Sequence, residues 1–447
     1  MRSENLYWLW LSECLGVGSR HMLPLIEKFE SPFEIYRLPE DEIALSGCVP
    51  DDVAHRLADK KLDRAYEIMD YCVVNNIGIL SFFNDFYPSS LRSLQDPPAV
   101  LYYKGSLPEL DQKLCVAVVG TRKMSEYGKR TAYKIAYELG SAGVVVVSGM
   151  ALGIDSVAAC GAISAGGKTI AVLGCGIDVV YPRQHAKLQR IIENNGVVLT
   201  EFAPGTQPSG INFPIRNRII SGLAQGTLVV EADDKSGAII TAKKALIQGR
   251  DVFAVPGNID ESNSQGTNML ITDGANIVLS ARDIIDNYEL NYGKFINYTG
   301  LAFAEEIYEF SENELERMGV AARAYNNTIK DKRAPELKTS EYRPTRRPPE
   351  VKKKSDAPST YSADGLGLDP KLSPKAPAQK RDGSKELVEK LDERTRKIFE
   401  EIPIDRAISI EKLCALGYTV GDVMSSLTVL EINGLISTLP GNLYIRR

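Results

Sequence analysis

The chain has 447 residues, of which 44% are hydrophobic and 25% are charged, a composition typical of a soluble globular protein with more than one domain. Its net charge of −5 gives no general attraction for polyanions, so a nucleic-acid site would have to be a local basic patch. Seven scattered cysteines without a CxxC pair, together with only three histidines, argue against a zinc ribbon or a disulfide framework. No apolar stretch approaches the ~20 residues that span a bilayer, and we expect a cytoplasmic protein with reduced thiols, no membrane association and no metal.

The first 75 residues have the pattern of short helices with polar breaks, and we predict a small helical domain, of the helix-hairpin-helix or SAM-like kind, over residues 1–75. Leu15–Ser19 resembles the turn of a helix-hairpin-helix unit, where two glycines let the backbone approach a phosphate. A tight helical turn without any ligand explains the same residues, so this single hairpin leaves the question open.

Between residues 76 and 290, short β-rich apolar runs alternate with helical stretches such as Gly128–Leu139 and Thr241–Gln248. The predicted strands are Ala99–Tyr103, Leu114–Val119, Val144–Ser148, Thr169–Leu173, Val197–Glu201, Thr227–Glu231 and Asp251–Val255. Several of them are almost continuous Val, Ile and Leu, which is typical of strands covered on both faces. The alternation predicts an α/β domain over residues 76–290, with a Rossmann-like, doubly wound, mostly parallel sheet that binds ligands beyond the carboxyl ends of its strands.

Residues 291–387 are predicted to be a linker, largely disordered, because their proline- and lysine-rich part has almost no large apolar residues. A solvated tether and a source of non-specific DNA affinity both fit its basic excess. Residues 388–447 regain helical spacing and predict a winged helix. Its three helices and two hairpin strands are predicted at Thr395–Ile402, Ser409–Leu416, Thr419–Asn433, Gly434–Ser437 and Leu443–Arg446.

Two motifs directly follow predicted strands. Gly120, Thr121 and Arg122 place a tight turn and a guanidinium where a helix should begin, which suits an anion, although a plain βα turn with a surface arginine is the alternative. Ser148–Asp155 contains Gly149, which again permits close approach of a ligand, while its terminal aspartate could instead cap the next helix. The sequence does not decide between ligand contact and capping there.

Two glycine-rich segments fail as nucleotide motifs. Gly166–Thr169 lacks the first glycine of a Walker A loop, because Ala162 stands there, and its lysine precedes a strand. Lys168 remains a candidate phosphate contact. Gly174–Val179 lacks the third glycine of a dinucleotide fingerprint, so no nicotinamide cofactor is expected.

The segment Asn212–Gly222 brings Arg216, Asn217 and Arg218 close to Phe213. Arginines beside an aromatic ring suit a backbone with unstacked bases, as in single-strand binding, whereas internal salt bridges are the alternative. Further along, Glu231–Thr241 places a carboxylate at a strand end, where it could be an active-site acid or could organise the loop.

Taken in order, the motifs VVGTR, SGMALGID, GKTIAVLGCGIDVVYP, FPIRNRIISG, VEADDKSGAIITA and GRDVFAVPG resemble those of the DNA-processing protein A family, also called Smf. They fall between residues 114 and 257. The N-terminal helical segment and the C-terminal winged helix are similar to accessory domains of that family, with weaker signatures, and the long linker is less typical.

The resemblance implies an extended Rossmann fold that binds single-stranded DNA and loads the RecA recombinase onto it during natural transformation. It also implies a homodimer without catalysis or a cofactor. Carried over by motif, the family's basic DNA-contacting positions fall on Arg122, Lys168, Arg216 and Arg218.

The main rival is a nucleoside-monophosphate phosphoribohydrolase on a related fold. Such enzymes carry a Pro-Gly-Gly-x-Gly-Thr segment before a catalytic glutamate, and both Pro256–Asn258 and Pro204–Thr206 depart from it. A third alternative, duplex binding by the winged helix alone, is disfavoured because Thr419–Asn433 is acidic. We therefore expect a DNA-binding protein, not an enzyme.

Overall fold

The computed structural model of the chain describes residues 2–320 and 393–403, then residues 408–409, 413, 418, 420–432, 435–439 and 443–446. The chain forms two compact units, Met1–Leu337 and Lys338–Arg447. Among the described residues, no helix has the length and apolar character needed to cross a lipid bilayer.

The N-terminal part of the first unit is helical, as its spacing indicates. Its helices are α1 (Arg2–Leu15), α2 (Met22–Phe29), α3 (Pro32–Arg37), α4 (Glu40–Leu45), α5 (Asp51–Ala58) and α6 (Asp63–Val74). Helix α1 is the centre of this part, because Trp8, Leu9, Trp10 and Leu11 are all buried. The chain leaves α1 through Gly16 and Gly18, whose φ angles of 78° and 73° favour glycine.

A nine-stranded sheet follows, in the order β1-β2-β6-β5-β4-β3-β7-β8-β9. The strands are β1 (Gly78–Ser81), β2 (Val100–Gly105), β3 (Cys115–Val119), β4 (Val145–Ser148), β5 (Thr169–Val172), β6 (Val197–Thr200), β7 (Gly226–Val229), β8 (Asp251–Ala254) and β9 (Asn276–Ile277). Strand β2 pairs antiparallel with both β1 and β6, and the other pairs are parallel. The α/β class and the mostly parallel sheet are thus confirmed, and β2 to β8 match the seven predicted strands.

Helices cover both faces of the sheet. They are α7 (Ser89–Arg92), α8 (Glu126–Ser141), α9 (Ile154–Ser164), α10 (Ala186–Asn195), α11 (Asn212–Leu223), α12 (Gly237–Ile247) and α13 (Ser262–Thr272). Successive side chains of a strand point to opposite faces, and every residue of β3 to β7 is buried. This explains why those strands are almost uniformly apolar in sequence.

Four more helices follow the sheet: α14 (Ala281–Ile285), α15 (Glu289–Tyr292), α16 (Tyr298–Ile307) and α17 (Glu312–Arg317). They bury Leu301 and Leu315, and Glu312 accepts a hydrogen bond of 2.7 Å from the buried Lys129 of α8. The prediction of a linker is therefore wrong for residues 291–320, which bring enough apolar side chains to pack onto the first unit. The rest of the predicted linker, residues 321–387, lies outside the described residues.

The second unit contains α18 (Glu393–Glu401), β10 (Ile408–Ser409), α19 (Val420–Ile432), β11 (Ile436–Leu439) and β12 (Leu443–Arg446). The strands form an antiparallel sheet in the order β10-β12-β11. The spacing predicts a helix that begins at Ser409, but this residue pairs with Leu443 in the sheet. Most of the remaining predicted helix lies outside the described residues, and the winged helix stays a prediction.

Candidate functional site

The candidate site lies where the direction of chain winding reverses. From β3 the chain proceeds through β4, β5 and β6 on one side, and it then returns to β7 on the other side of β3. The loops that follow β3 and β7 therefore diverge and leave a crevice at the carboxyl ends of the strands. A pocket of about 450 Å³ occupies this crevice, lined by both loops and by the first turns of α11 and α12.

The loop after β3 is fixed by backbone contacts. The Thr121 N–H donates to the Glu231 carbonyl at 2.7 Å, and the Thr121 carbonyl accepts from Ile154 N at 3.2 Å. Gly120 is needed for this approach, because a Cβ atom there would lie only 2.5 Å from Ile154 Cγ1. The loop is thus held in place while the side chain of Arg122 stays exposed at the pocket.

Phe213, in the first turn of α11, connects the two predicted arginines. The Arg122 Cζ atom lies 5.1 Å from the centroid of the Phe213 ring, and Arg216 Cζ lies 5.9 Å from it. The ring of Tyr181 lies 5.4 Å from that of Phe213, with an angle of 31° between the planes. Two aromatic rings and two guanidiniums thus meet at one place, within the distance at which cation–π attraction acts.

Arg216 is buried and firmly oriented. Its Nη1 donates to the carbonyl of Gly149 at 2.9 Å and to that of Val172, and its Nε donates to Asn217 Oδ1 at 3.1 Å. Gly149 also donates its N–H to Asp155 Oδ2 at 3.1 Å. Asp155 therefore has a structural role, which the sequence left open, although it also lines the pocket.

The two buried charges affect each other. Burial lowers the pKa of the Arg216 guanidinium to about 10, an effect that Asp155 opposes and that Arg122 increases. Burial likewise raises the pKa of Asp155, and Arg216 opposes that change. Since a pKa near 10 still leaves Arg216 protonated at neutral pH, the pocket keeps a cation in a poorly hydrated position, where it acts strongly on an anion.

The opposite wall of the pocket is the beginning of α12. Ser236, Gly237 and Ala238 line the pocket, so the positive end of the dipole of this 11-residue helix faces it. Asn217 Nδ2 donates to the Gly237 carbonyl at 3.4 Å and joins α11 to this wall. The pocket thus combines an exposed guanidinium, a buried guanidinium, a helix N-terminus and aromatic rings, which suits an anion attached to a flat ring system.

The structure brings together seven of the nine predicted site residues: Gly120, Thr121, Arg122, Gly149, Phe213, Arg216 and Asn217. Lys168 is not among them. It directly precedes β5, which runs parallel to β4, and so it lies at the amino ends of the strands. The pocket is at their carboxyl ends, and a strand of this length separates the two edges by ~13 Å.

Arg218 also lies elsewhere. It is buried and its Nη2 donates to Glu201 Oε2 at 2.5 Å, while its Nε is 3.7 Å from Asp96 Oδ2. Glu201 Oε1 accepts a second hydrogen bond of 3.1 Å from Gly18 N, in the predicted N-terminal hairpin. An internal salt bridge is therefore the role of Arg218, and the hairpin amide already has a partner within the chain.

Glu231, at the end of β7, has an organising role. Its carboxylate accepts hydrogen bonds from Ser125 N, at 2.9 Å, and from Ser125 Oγ, at the start of α8. Helix α8 approaches this carboxylate closely at Gly128, since a Cβ atom at that glycine would lie 2.2 Å from Glu231 Oε2.

The sequence predicts a Ser-Gly turn before a helix at Ser236, but neither this helix start nor Tyr181 was predicted to belong to the site. Tyr181 lies eight positions beyond Leu173, so nothing in its spacing connects it with Phe213. The turn at Ser236 does carry a usable signal, because a serine before a glycine and a helical run predicts an N-cap.

Comparisons with known proteins agree with the motifs. A family described as DNA recombination-mediator protein A matches residues 78–289. DNA processing protein DprA of Streptococcus pneumoniae is 45% identical over 277 residues, which are 61% of this chain and 95% of the relative. Protein Smf of Synechocystis is 36% identical over 291 residues, covering 63% of this chain and 72% of the relative.

A solved structure is similar over the same part of the chain. The X-ray structure of DNA processing protein A from Streptococcus pneumoniae superposes with a TM-score of 0.56 and 37% identity, and the match covers 63% of this chain and 97% of that one. The similarity therefore spans nearly the whole length of the Streptococcus pneumoniae protein. The chain belongs to the DNA recombination-mediator protein A family, together with DNA processing protein DprA and protein Smf.

Proposed function

We propose that the protein is a DNA-processing, recombination-mediating protein that binds single-stranded DNA in the pocket at the carboxyl ends of β3 and β7. The family and its relatives are named for DNA processing and recombination. The observation that carries the proposal is the Phe213 ring, which lies within 6 Å of both Arg122 and Arg216 at the mouth of a pocket.

The chemistry of this arrangement favours a single strand over a duplex. Phosphates would be bound by Arg122, Arg216 and the N-terminus of α12, and a base would stack on Phe213 or Tyr181. In a duplex the faces of the bases are already stacked on each other, so no base could stack on Phe213 or Tyr181. The proposed contact residues are the six predicted residues that line the pocket and Gly149, which lines a smaller cavity beside it together with Arg122, Phe213 and Arg216. Lys168 and Arg218 are not among them.

Family membership supports a more specific role: a cytoplasmic homodimer that loads RecA onto incoming single strands during natural transformation. Two pockets on one dimer would bind the same strand with a raised effective concentration. Strand β9, at one end of the sheet, exposes Ile277, and Leu279 directly after it is exposed as well. This edge is a suitable surface for a second copy of the chain.

We propose binding without catalysis. A phosphoribohydrolase needs a glutamate that is free to act on the substrate, whereas the Glu231 carboxylate is occupied by Ser125 at the start of α8. Incubation with nucleoside monophosphates should therefore release no free base, and release of base would support the rival enzyme.

The decisive experiment is an anisotropy titration of a fluorescent 20-nucleotide thymidine oligomer and of a duplex of equal length, at several salt concentrations. We expect the single strand to bind more tightly. Arg122→Ala should weaken its binding and reduce the slope of log affinity against log salt by ~0.7, because one phosphate contact is lost.

The matched control is Arg190→Ala, which removes the same charge from an exposed position on α10 outside the pocket. It should leave the salt slope unchanged. Equal effects of both substitutions, or equal affinity for duplex and single strand, would contradict the assignment of the pocket.

A further inference from the structure

A second cavity lies beside the first strand of the sheet. It differs from the DNA pocket because none of the described residues that line it carries a charge. This groove of about 840 Å³ is bounded by α1, α3, strand β1 and the turn after β1. Its walls include Trp8, Phe33, Ile79, Phe83 and Phe86. The proposed function makes no use of it.

Strand β1 offers a free edge to this groove. In the part of the chain that the structure describes, it is the last strand at its end of the sheet, and its strand partner there is β2 alone. Phe82 N donates to the Ala99 carbonyl at 3.0 Å, so these two residues form a hydrogen-bonded pair. Hydrogen-bonded pairs alternate along an antiparallel ladder. The backbone N–H and carbonyl of Leu80 therefore face β2, whereas those of Ile79 point away from it. Ile79 lines the groove, and its N–H and carbonyl can therefore pair with another strand.

The aromatic rings of the groove are exposed but held in place. Phe86 is 72% exposed and Phe83 is 51% exposed, although burying such rings is strongly favourable. Phe83 packs edge-on against the buried Trp8, with 5.2 Å between the ring centroids, and Phe33 packs in the same way on Tyr7, at 4.9 Å. A partner that covers these rings would lose little side-chain entropy on the protein's side.

The charge distribution distinguishes between possible partners. The residues lining the groove, all of them described, contain no carboxylate, ammonium or guanidinium. Phosphates would find no counter-charge inside it. Just outside, charges of both signs are present, because Glu34 pairs with Arg37 at 3.5 Å and the Arg37 guanidinium lies 5.8 Å from the centroid of the Phe33 ring. The groove therefore suits an uncharged, apolar segment.

We propose that this groove binds an extended peptide segment of a partner protein, which adds a strand to the free edge of β1. Its alternate bulky apolar side chains pack on Trp8, Phe83 and Phe86. Backbone pairing supplies affinity and the aromatic pockets supply specificity, as in other cases of strand addition.

The test uses the full chain and the peptide Lys-Val-Phe-Val-Phe-Val-Lys with blocked ends. Binding is followed by the emission of tryptophan, because Trp8 forms the floor of the groove. Phe86→Ala should weaken binding about tenfold, which is typical for the loss of an aromatic contact at an interface. Phe303→Ala, which removes an exposed ring on α16, is the matched control and should have no effect.

Two N-methylated peptides test the backbone pairing. One carries methyl groups on its even residues and the other on its odd residues, so that only one of them loses the N–H groups facing β1. Strand addition requires that one peptide binds as well as the parent and the other about tenfold more weakly. If both bind equally, or if the unmodified peptide does not bind at all, the proposal is overturned.

The same variants separate this groove from the DNA pocket. Arg122→Ala should retain peptide affinity and Phe86→Ala should retain oligonucleotide affinity. If Phe86→Ala instead weakens binding of the thymidine oligomer, or changes a dimer to a monomer in light scattering, the groove holds nucleic acid or a second copy, and the peptide proposal is wrong.

Discussion

The backbone of Gly149 lies close to two charged groups, Arg216 and Asp155. A Cβ atom there would lie 2.6 Å from Arg216 Nη2 and 2.7 Å from Asp155 Oδ2, so Gly149→Ala must displace one of them. We expect the free energy of unfolding to fall by about 1–3 kcal/mol. Affinity for the thymidine oligomer should fall about tenfold, as for one lost contact, in anisotropy titrations.

The control for this substitution is Gly210→Ala. Gly210 lines the pocket together with Arg216, but a Cβ atom added there would have no heavy atom within 4 Å, and the φ of this residue is not positive. The variant should bind the oligomer like the unchanged protein. Similar losses in both variants would show that glycine as such, and not the approach to Arg216, matters in this pocket.

Most residues of the candidate site could be predicted from the sequence. The two predicted residues that lie outside it, Lys168 and Arg218, show which features of strand and helix geometry the prediction did not use. Lys168 precedes its parallel strand, whereas Gly120 and Gly149 follow theirs. The lysine therefore lies at the amino ends of the strands and the two glycines lie at the carboxyl ends. Arg216 and Arg218 are two positions apart on a helix, about 200° around its axis, and therefore point in nearly opposite directions. Which arginine enters the pocket depends on the neighbours of α11, which the sequence does not reveal.

Helix α11 is anchored by the buried pair of Arg218 and Glu201. Glu201→Gln would leave the guanidinium buried with Asp96 at 3.7 Å as its remaining counter-charge, and we expect the free energy of unfolding in urea to fall by about 3 kcal/mol. Glu305→Gln breaks the more exposed pair with Arg282 and should cost far less. Equal costs would contradict the anchoring role.

The loop after β4 is held by a histidine. His185 Nδ1 lies 3.0 Å from the Met150 carbonyl, and Met150 has a φ of 52°, a strained value for this residue type. Burial lowers the pKa of His185 from its ordinary value of 6.5, so the unfolded chain binds a proton more readily than the folded one.

This histidine should therefore make the protein sensitive to acid. Its contribution to stability is complete above the ordinary pKa and is lost as the pH falls below about 6.5. Urea unfolding at pH 8 and pH 5.5 should show a larger loss of stability for the unchanged protein than for His185→Gln. Parallel losses in the two proteins would exclude His185 as the cause.

At the level of elements, the burial of a strand or helix determines whether the sequence predicts it. Strands β2 to β8 are predictable because most of their residues are apolar and covered by helices. Strand β9 has only two residues, both exposed, and β1 has four residues, of which two are buried and two are partly buried, so neither has a long apolar run. Helices α16 and α17 were missed because a few buried residues, among them Leu301 and Leu315, attach them to a surface that exists only in the folded unit.

For the whole molecule, all residues that line the pocket at the carboxyl ends of β3 and β7 lie within the first compact unit, Met1–Leu337. We expect a chain shortened to residues 1–337 to bind the thymidine oligomer with the affinity and salt slope of the full chain. A chain that ends at residue 309 loses Glu312 and Leu315 and should melt at a lower temperature. Weaker binding by residues 1–337 would show that the second unit contributes to the site.

The reversal of winding at β3 also has a consequence for how the protein is made. β3 lies beside both β4 and β7, but residues 120–225 separate it from β7, which takes the ribosome roughly 5–20 s to synthesise. During that interval one edge of a fully apolar strand lacks its partner, and the pocket lacks its second wall. The nascent chain is then at its most vulnerable to wrong strand pairing and most in need of a chaperone.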